Sequence, residues 1–300
     1  MRLGGYPPRT MSIPMSQFPA IDSIGTGPAA LLLPALSSIS TRAEMYPLAH
    51  ALGTRFRCVI PDWPGFGARP RERVKLTPQV LHRFLAALIE RELGPQALGI
   101  AAGHAAPYLV AAARTQPGRF SHLVLVAPTW RGPFPSMFGD ERRRLCRRIR
   151  AAIELPVFGE ALYRLNVSRP IVARMLRAHV YAAPAHVTPQ TLAEKMAVTR
   201  QPRARFGTAA FISGGLDPVA SRAEFLALFD ATLPPVLLLR PAAAPPRSGA
   251  EMDALAATGR VATAKIPGAL AAHEEYPVAV AEAISDFLAG RIAALPSRPA

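Results

Sequence analysis

The sequence predicts an α/β fold, in which a mostly parallel sheet has helices on both faces and carries a helical insertion. Two observations support this prediction. Short apolar strands alternate with amphipathic helices from Ala29 to Val126, and the same alternation returns after Val236. Continuous apolar strands alternating with helices are typical of parallel sheets that are buried on both faces. A chain of 300 residues is long enough for one such domain with an inserted segment.

Each element has its own local signal. The predicted strands lie at residues 29–33, 56–60, 97–101, 122–126, 236–239 and 261–266. The first helix begins after Thr41, where Glu44 three residues later completes a capping box, and Gly53 ends it. Thr77-Pro78 begins the second helix, because proline suits the first helical position. Further helices are predicted at residues 107–117 and 250–257, and at the end, where Val280, Ile284, Phe287 and Leu288 face the core.

The pattern also predicts domain boundaries. Residues 1–28 are rich in Pro, Gly and Ser and are predicted to form a loose arm, with Met11 and Met15 as alternative starting residues to Met1. Residues 29–130 and 208–300 form the predicted α/β core. Residues 131–207 contain helical stretches without a convincing strand, so we expect a helical lid inserted into that core.

The charge of +15 is compatible with an anionic partner, yet the composition favours a simpler interpretation. Only three of the 35 basic residues are lysines, and abundant Arg, Ala and Pro are typical of chains encoded by GC-rich genomes. Aromatic-basic interleaving and recognition-helix signatures are absent, so nucleic acid is a disfavoured partner. The sequence has no 18-residue apolar run and no signal-peptide pattern, which predicts a cytoplasmic protein without a transmembrane segment. Cys58 and Cys146 have no metal-ligand spacing, and we expect no metal and no cofactor.

Three motifs occur in a characteristic order. Residues 61–67 read PDWPGFG, residues 122–128 read HLVLVAP, and residues 266–277 read IPGALAAHEEYP. Together they resemble the α/β-hydrolase superfamily, especially its lidded branch of esterases, epoxide hydrolases and dehalogenases. The resemblance covers residues 29–290 and implies a nucleophile, an acid and a base on loops that follow three of the strands.

The side chains required for that chemistry are missing at the matching positions. The G-x-S-x-G turn, in which the nucleophile is central, reads Gly103-His104-Ala105-Ala106-Pro107, so the nucleophile position is Ala105. By the same resemblance the acid position is Ala244 and the base position is Leu270. Triad members act as a unit, and we therefore do not expect Ser-His-Asp hydrolysis.

Three polar residues remain candidates for chemistry, each with an alternative structural role. His104 either supports the turn from behind or acts in proton transfer. His273 either faces the pocket or lies on the surface at the start of the last helix, where Glu274 and Glu275 suit the helix dipole. Asp217, in Gly214-Gly215-Leu216-Asp217, is either a turn or N-cap residue or a catalytic acid.

Several residues are predicted to contact a ligand because the ends of parallel strands share one edge of the sheet. Arg42 is expected to bind an anionic group and Trp130 to form a pocket wall. The complete set of predicted ligand-binding residues is Ala35, Leu36, Arg42, Ala105, Ala106 and Trp130.

Four functional hypotheses follow. The first is a protein that binds a small, largely apolar molecule in the former active-site pocket. The second is a non-hydrolytic enzyme, such as a lyase, isomerase or cyclase, that uses His104 or His273 for proton transfer. The third is an atypical hydrolase. The fourth is an interaction scaffold in which Arg142–Arg150, the densest charge in the chain, binds an anionic membrane or an acidic protein; a solvated helix face explains the same charge.

Overall fold

The computed structural model describes residues 20–68, 71, 75–139 and 142–292. Its central sheet has the strand order β1-β3-β2-β4-β5-β6-β7. The strands are β1 (Ile21–Ile24), β2 (Ala29–Leu33), β3 (Arg57–Pro61), β4 (Ala97–Ala102), β5 (Phe120–Val126), β6 (Val236–Pro241) and β7 (Ala262–Ile266). Strands β2 to β7 are parallel to one another. The α/β prediction and all six predicted strands are confirmed. The chain order reverses between β2 and β4, so the crevice at their carboxyl ends is the topological switch point, where open α/β sheets bind ligands.

The first strand corrects the predicted arm. Ile21–Ile24 pair antiparallel with β3, with Ile21 opposite Pro61 and Ile24 opposite Cys58. Gly25 and Gly27 both have positive φ and turn the chain from β1 into β2. The Pro- and Gly-rich composition of residues 25–28 therefore belongs to a turn, and four residues were too few to show strand periodicity. Residues 1–19, which include Met11 and Met15, lie outside the described residues.

Helices cover both faces of the sheet. The helices of the α/β core are α1 (Tyr46–Leu52), α2 (Pro78–Glu92), α3 (Ala106–Thr115), α11 (Pro246–Ala256), α12 (Ala272–Glu275) and α13 (Pro277–Leu288). On one face, α1 and α13 bury Leu48 and Ile284 against the sheet. On the other face, α2, α3 and α11 bury Phe84, Tyr108 and Met252. Burying apolar side chains on both faces is the main stabilising term for this architecture.

The insertion between β5 and β6 is helical throughout its described part. It contains α4 (Pro133–Phe138), α5 (Arg143–Glu154), α6 (Phe158–Asn166), α7 (Arg169–Met175), α8 (Pro189–Thr199), α9 (Ala204–Ile212) and α10 (Arg222–Ala227). The predicted boundary at residue 207 is wrong because it falls inside α9, and helices continue to Ala227. The insertion has its own apolar cluster, which also includes Ile39 and Ala271 from the α/β core. It therefore packs over the loops that follow β2 and β7.

None of the helices in the described parts of the chain combines the length and the apolar character that crossing a bilayer requires.

Candidate functional site

The turn between β4 and α3 begins at Gly103. This glycine has φ of +51°, directly after the last residue of β4, whereas Ala105 has φ of −75° and ψ of −21°. In α/β hydrolases the nucleophile occupies the strained residue of this turn. That residue is Gly103, two positions before Ala105, so the predicted register is wrong. The physical reason is steric, because glycine adopts a positive φ without the penalty that a Cβ imposes. Ala105 is instead buried at the start of α3.

Small residues surround Gly103 at the carboxyl edge of the sheet. A Cβ built on Gly103 would lie 3.3 Å from Ala35 Cβ and 4.0 Å from Thr129 Oγ1. After β6, the loop to α11 contains Ala244, whose N–H donates to Pro241 O at 3.2 Å. After β7, Leu270 N–H donates to His179 O of the insertion at 3.4 Å. These loops thus contain neither a carboxylate at Ala244 nor an imidazole at Leu270.

Two of the predicted candidates, His104 and Asp217, lie together. His104 Nε2 is 3.4 Å from Asp217 Oδ1 and 3.3 Å from Leu216 O. Asp217 Oδ1 also accepts a hydrogen bond from Gly132 N–H at 2.8 Å, and Tyr108 Oη donates to Leu216 O at 2.6 Å. These contacts join α3, the end of β5 and the loop after α9. They bring together residues that are at least 85 positions apart in sequence.

The environment of His104 favours a neutral ring. Burial lowers the pKa of His104 to about 4, although the hydrogen bond to Leu216 O opposes the shift. A carbonyl oxygen only accepts, so Nε2 must carry the hydrogen. The ring packs edge-on against Phe211, with centroids 5.5 Å apart, and Nδ1 has no hydrogen-bond partner among the described residues. Of the two roles predicted for His104, this environment supports the structural one.

The second histidine, His273, is buried in α12 rather than exposed at a helix start. Its Nε2 lies 3.5 Å from Glu44 Oε1, and both side chains are at most 5% exposed. Glu44 Oε1 accepts a hydrogen bond from Ala35 N–H at 2.7 Å. Burial raises the pKa of Glu44, but His273, Lys195 and the Ala35 N–H together lower it below the ordinary value. The capping-box prediction for Glu44 is wrong, because the carboxylate points inward; Thr41 alone caps the 3-10 turn Arg42–Met45.

Charged and polar groups attach the insertion to α12. Lys195 Nζ, in α8, lies 3.0 and 3.1 Å from the two Glu274 oxygens. Glu275 accepts hydrogen bonds from Ala182 N–H at 3.0 Å and from Ala183 N–H at 2.6 Å. These carboxylates lie in the first turn of α12, as predicted, and in addition they bind the insertion. The buried Tyr181 hydroxyl lies beside them, and burial together with Glu274 raises its pKa far above the ordinary value.

Within the described residues, no group of three or more His, Cys, Asp and Glu side chains is arranged to hold a metal ion.

Arg42 and Trp130, for which ligand contacts were predicted, are both bound by groups of the protein. Arg42 Nη1 donates to Asp62 Oδ2 at 2.7 Å, and Nε pairs with Asp22, so the guanidinium joins β1 to the turn after β3. Trp130 Nε1 donates to Glu251 Oε2 at 3.0 Å and its ring stacks on Phe225. Leu36, Ala105 and Ala106 are buried in the core, and Ala106 N–H donates to Gly103 O. Within the predicted set, the Ala35 side chain lies against Gly103.

The arginine-rich segment forms α5. Cys146 and Ile153 are its buried residues, whereas Leu145 is 42% exposed. Arg144, Arg147 and Arg148 are exposed to solvent. A docking role for this helix stays a prediction.

Several important residues were missed from the sequence. Gly103 had a signal, since it is a glycine that lies two residues after the strand predicted at residues 97–101. Lys195 also had one, because it is a rare lysine at an apolar position of a helix, three residues after Leu192. Glu44 and Glu251 had none, because their partners come from distant segments. Glu251 binds Trp130, Arg131 and Arg222 at once.

Comparison with known proteins identifies the family. A sequence-family profile described as "Alpha/beta hydrolase family" matches residues 30–284. The chain belongs to the α/β-hydrolase family. A sequence search of curated proteins finds no match.

Solved structures of α/β hydrolases show the same fold. An esterase from Thermogutta terrifontis, solved with malate bound, has a TM-score of 0.64 and 23% identity over 90% of this chain and 93% of its own. The protein Cfl2 from Burkholderia cenocepacia has a TM-score of 0.68 and 21% identity over 89% and 90%. A haloalkane dehalogenase loop variant from Bradyrhizobium elkanii has a TM-score of 0.65 and 17% identity over 90% and 92%. At these identities the similarity establishes the fold.

Proposed function

We propose that this α/β-hydrolase-family protein binds a small, largely apolar molecule at the switch point and does not carry out Ser-His-Asp hydrolysis. The observation that carries the proposal is Gly103 at the strained position after β4. Glycine has no side chain with which to attack a carbonyl, and Ala105 two residues later has only a methyl group. Hydrolysis by the family's covalent route requires a nucleophile at this turn.

The oxyanion-binding side of the site supports the same proposal. One donor of the family's oxyanion hole is a backbone N–H in the loop after the first parallel strand of the core. Here Ala35 follows β2, and its N–H already donates to Glu44 Oε1 at 2.7 Å. An anion of the protein thus occupies the donor that a tetrahedral intermediate would need, and a carboxylate there would repel a developing oxyanion.

The proposed ligand class follows from the surroundings and from the relatives. Ala35 and Gly103 present only a methyl group and a hydrogen at the switch point, and Thr129 Oγ1 is the hydroxyl that lies within 4.0 Å of a Cβ built on Gly103. By their names, relatives of this fold include an esterase and a haloalkane dehalogenase, which take small organic molecules. Apolar surfaces with few polar groups are typical of such ligand sites.

A fluorophosphonate probe and p-nitrophenyl acetate test the loss of hydrolysis. We expect no covalent adduct and hydrolysis at the rate of the buffer, with Gly103→Ser as inactive as the parent because the family's acid and base positions hold Ala244 and Leu270. A stoichiometric adduct mapped by peptide mass spectrometry to Thr129 or another residue would contradict the proposal. Native mass spectrometry of protein purified from its host tests binding, since a discrete mass released on denaturation is expected and an empty protein would count against it.

A second candidate function is non-hydrolytic proton transfer by His273, favoured by its buried pair with Glu44. Neither ring nitrogen of His273 has a hydrogen-bond partner within the described residues. A carboxylate 3.5 Å from an imidazole can orient the ring for proton transfer. If the ligand released in the native experiment is turned over, His273→Asn should abolish turnover and leave folding intact. Unchanged turnover would exclude this role.

A further inference from the structure

A separate cleft opens within the helical insertion, away from the carboxyl edge of the sheet. It has a volume of about 730 Å³ and lies between α6, α7 and the segment from the end of α8 into α9. Small-molecule sites commonly fall in this range of volume. None of the residues discussed at the switch point lines this cleft, so the two sites are distinct.

The lining of the cleft is strongly positive. Its arginines are Arg164, Arg169, Arg200, Arg203 and Arg205. Glu160 is the carboxylate that lines the cleft with them. Hydrogen bonds from Arg164 and Arg205 hold the pKa of Glu160 below its ordinary value, so it remains an anion and offsets one positive charge. The lining therefore has an excess of roughly four positive charges. Repulsion between these side chains is unfavourable unless an anion is bound.

Two of these arginines remain available to a ligand. Arg169 and Arg200 are exposed, and neither forms an ion pair with any carboxylate in the described part of the chain. Arg205 is only 15% exposed, and its Nε atom is buried without a hydrogen-bond partner among the described residues.

Backbone geometry shapes the rim of the cleft. Arg203 has φ of +63°, a left-handed conformation that is uncommon outside glycine. Its Nη1 donates to Arg71 O at 2.9 Å, which fixes the side chain against the turn after β3. Strained residues of this kind persist where surrounding contacts hold them and cluster at binding sites. The cleft is thus held in shape before a ligand enters it.

The floor of the cleft is apolar. Tyr163, Val167 and Met196 are buried there, and Tyr163 Oη is already used as a donor to Thr199 O at 2.8 Å. A ligand with charge at one end and apolar surface at the other would match both the arginine rim and this floor.

We propose that this cleft binds a small organic molecule that carries two phosphate groups, with the phosphates on Arg169, Arg200 and Arg205 and the apolar body on the floor. Guanidinium groups bind phosphate through paired N–H donors. Two phosphate groups bring roughly three to four negative charges, which matches the excess of the lining, whereas a single carboxylate leaves most of it unbalanced. The proposal concerns the insertion alone and does not depend on the function of the switch-point site.

Isothermal titration of the full chain with inorganic pyrophosphate, at physiological ionic strength, tests this proposal. We expect saturable binding with one site per chain and markedly weaker binding of citrate. Arg169→Ala/Arg200→Ala should weaken pyrophosphate binding by roughly a hundredfold, because each lost charge-assisted interaction contributes about tenfold. Thermal unfolding of the unliganded variant should be unchanged, since both side chains are exposed.

The matched control is Arg144→Ala/Arg148→Ala, which removes two exposed arginines of α5 that do not line the cleft. It should bind pyrophosphate as tightly as the parent. Equal weakening in the control would show binding by general surface charge and would overturn the proposal. So would absence of pyrophosphate binding, citrate binding as tight as pyrophosphate, or displacement of pyrophosphate by single-stranded RNA at lower concentration than by ADP.

Discussion

Two buried histidine–carboxylate pairs in this α/β-hydrolase-family protein differ in the hydrogen bonds that neighbouring groups form with them. In the first pair, His104 and Asp217 are joined to the backbone at Leu216 and Gly132. In the second pair, the ring nitrogens of His273 have no hydrogen-bond partner among the described residues, and Glu44 is bound at Ala35 N–H. Burial alone therefore does not distinguish a structural histidine from a reactive one.

The charges nearby explain the difference. Around His104, desolvation dominates and lowers its pKa to about 4, so the ring stays neutral and supports the turn. Around His273 lie Glu44, Lys195 and Glu274, and the carboxylate of Glu44 is held in its ionised form. The first pair stabilises the junction between the core and the insertion, whereas the second retains groups that can orient a ligand or move a proton.

The largest expected effect comes from Asp217→Ala. This change removes the acceptor for Gly132 N–H and the partner of His104, and we expect the free energy of unfolding to fall by about 3–5 kcal/mol. Glu44→Gln keeps an oxygen for Ala35 N–H and should cost about 1–2 kcal/mol. Urea denaturation measures both. Asp253→Ala, at an exposed carboxylate, is the control and should cost little. Equal losses at Asp217 and Glu44 would remove the contrast between the two pairs.

The pH dependence of stability gives the next largest effect. Because the pKa of His104 falls from 6.5 unfolded to about 4 folded, the unfolded chain binds the additional proton between these values. Stability should therefore be complete above pH 7 and decrease by up to about 3 kcal/mol as the pH falls from 6.5 to 4. His104→Gln retains a donor for Leu216 O and should flatten this dependence when unfolding is measured across that range. A parallel pH profile in the variant would show that His104 is not the group responsible.

A smaller effect is expected from Lys195→Met, which removes the cation paired with Glu274 while keeping a side chain of similar length. We expect a loss of about 1–2 kcal/mol, since the pair is only partly buried. Hydrogen exchange should increase in α8 and around Ala182, where the insertion contacts α12. Gln190→Ala, exposed on the same helix, is the control. Unchanged exchange in α8 would mean that other contacts hold the insertion in place.

The residues that sequence analysis identified correctly are those with local signals. Thr77 caps α2 as predicted, accepting a hydrogen bond from Val80 N–H. His104, Asp217 and His273 were recognised as candidates, but the sequence left each with two roles. Their contacts with Leu216 and Glu44 depend on segments distant in sequence, which no periodicity or spacing reveals. The ion pairs of Arg42 were missed for the same reason, because its partners Asp22 and Asp62 lie 20 residues away on either side.

By itself, the sequence determined the α/β architecture, the positions of the strands and the lack of Ser, Cys, Asp and Thr in the β4–α3 turn. These properties follow from hydrophobic patterning, capping and residue type, all of which are local. The tertiary structure decided that Gly103 rather than Ala105 occupies the strained position, that Glu44 faces His273, and that five arginines of the insertion share one cleft. Each of these depends on backbone torsion or on long-range packing. Long-range packing brings together side chains that are far apart in the sequence, so their spacing does not predict that they are close.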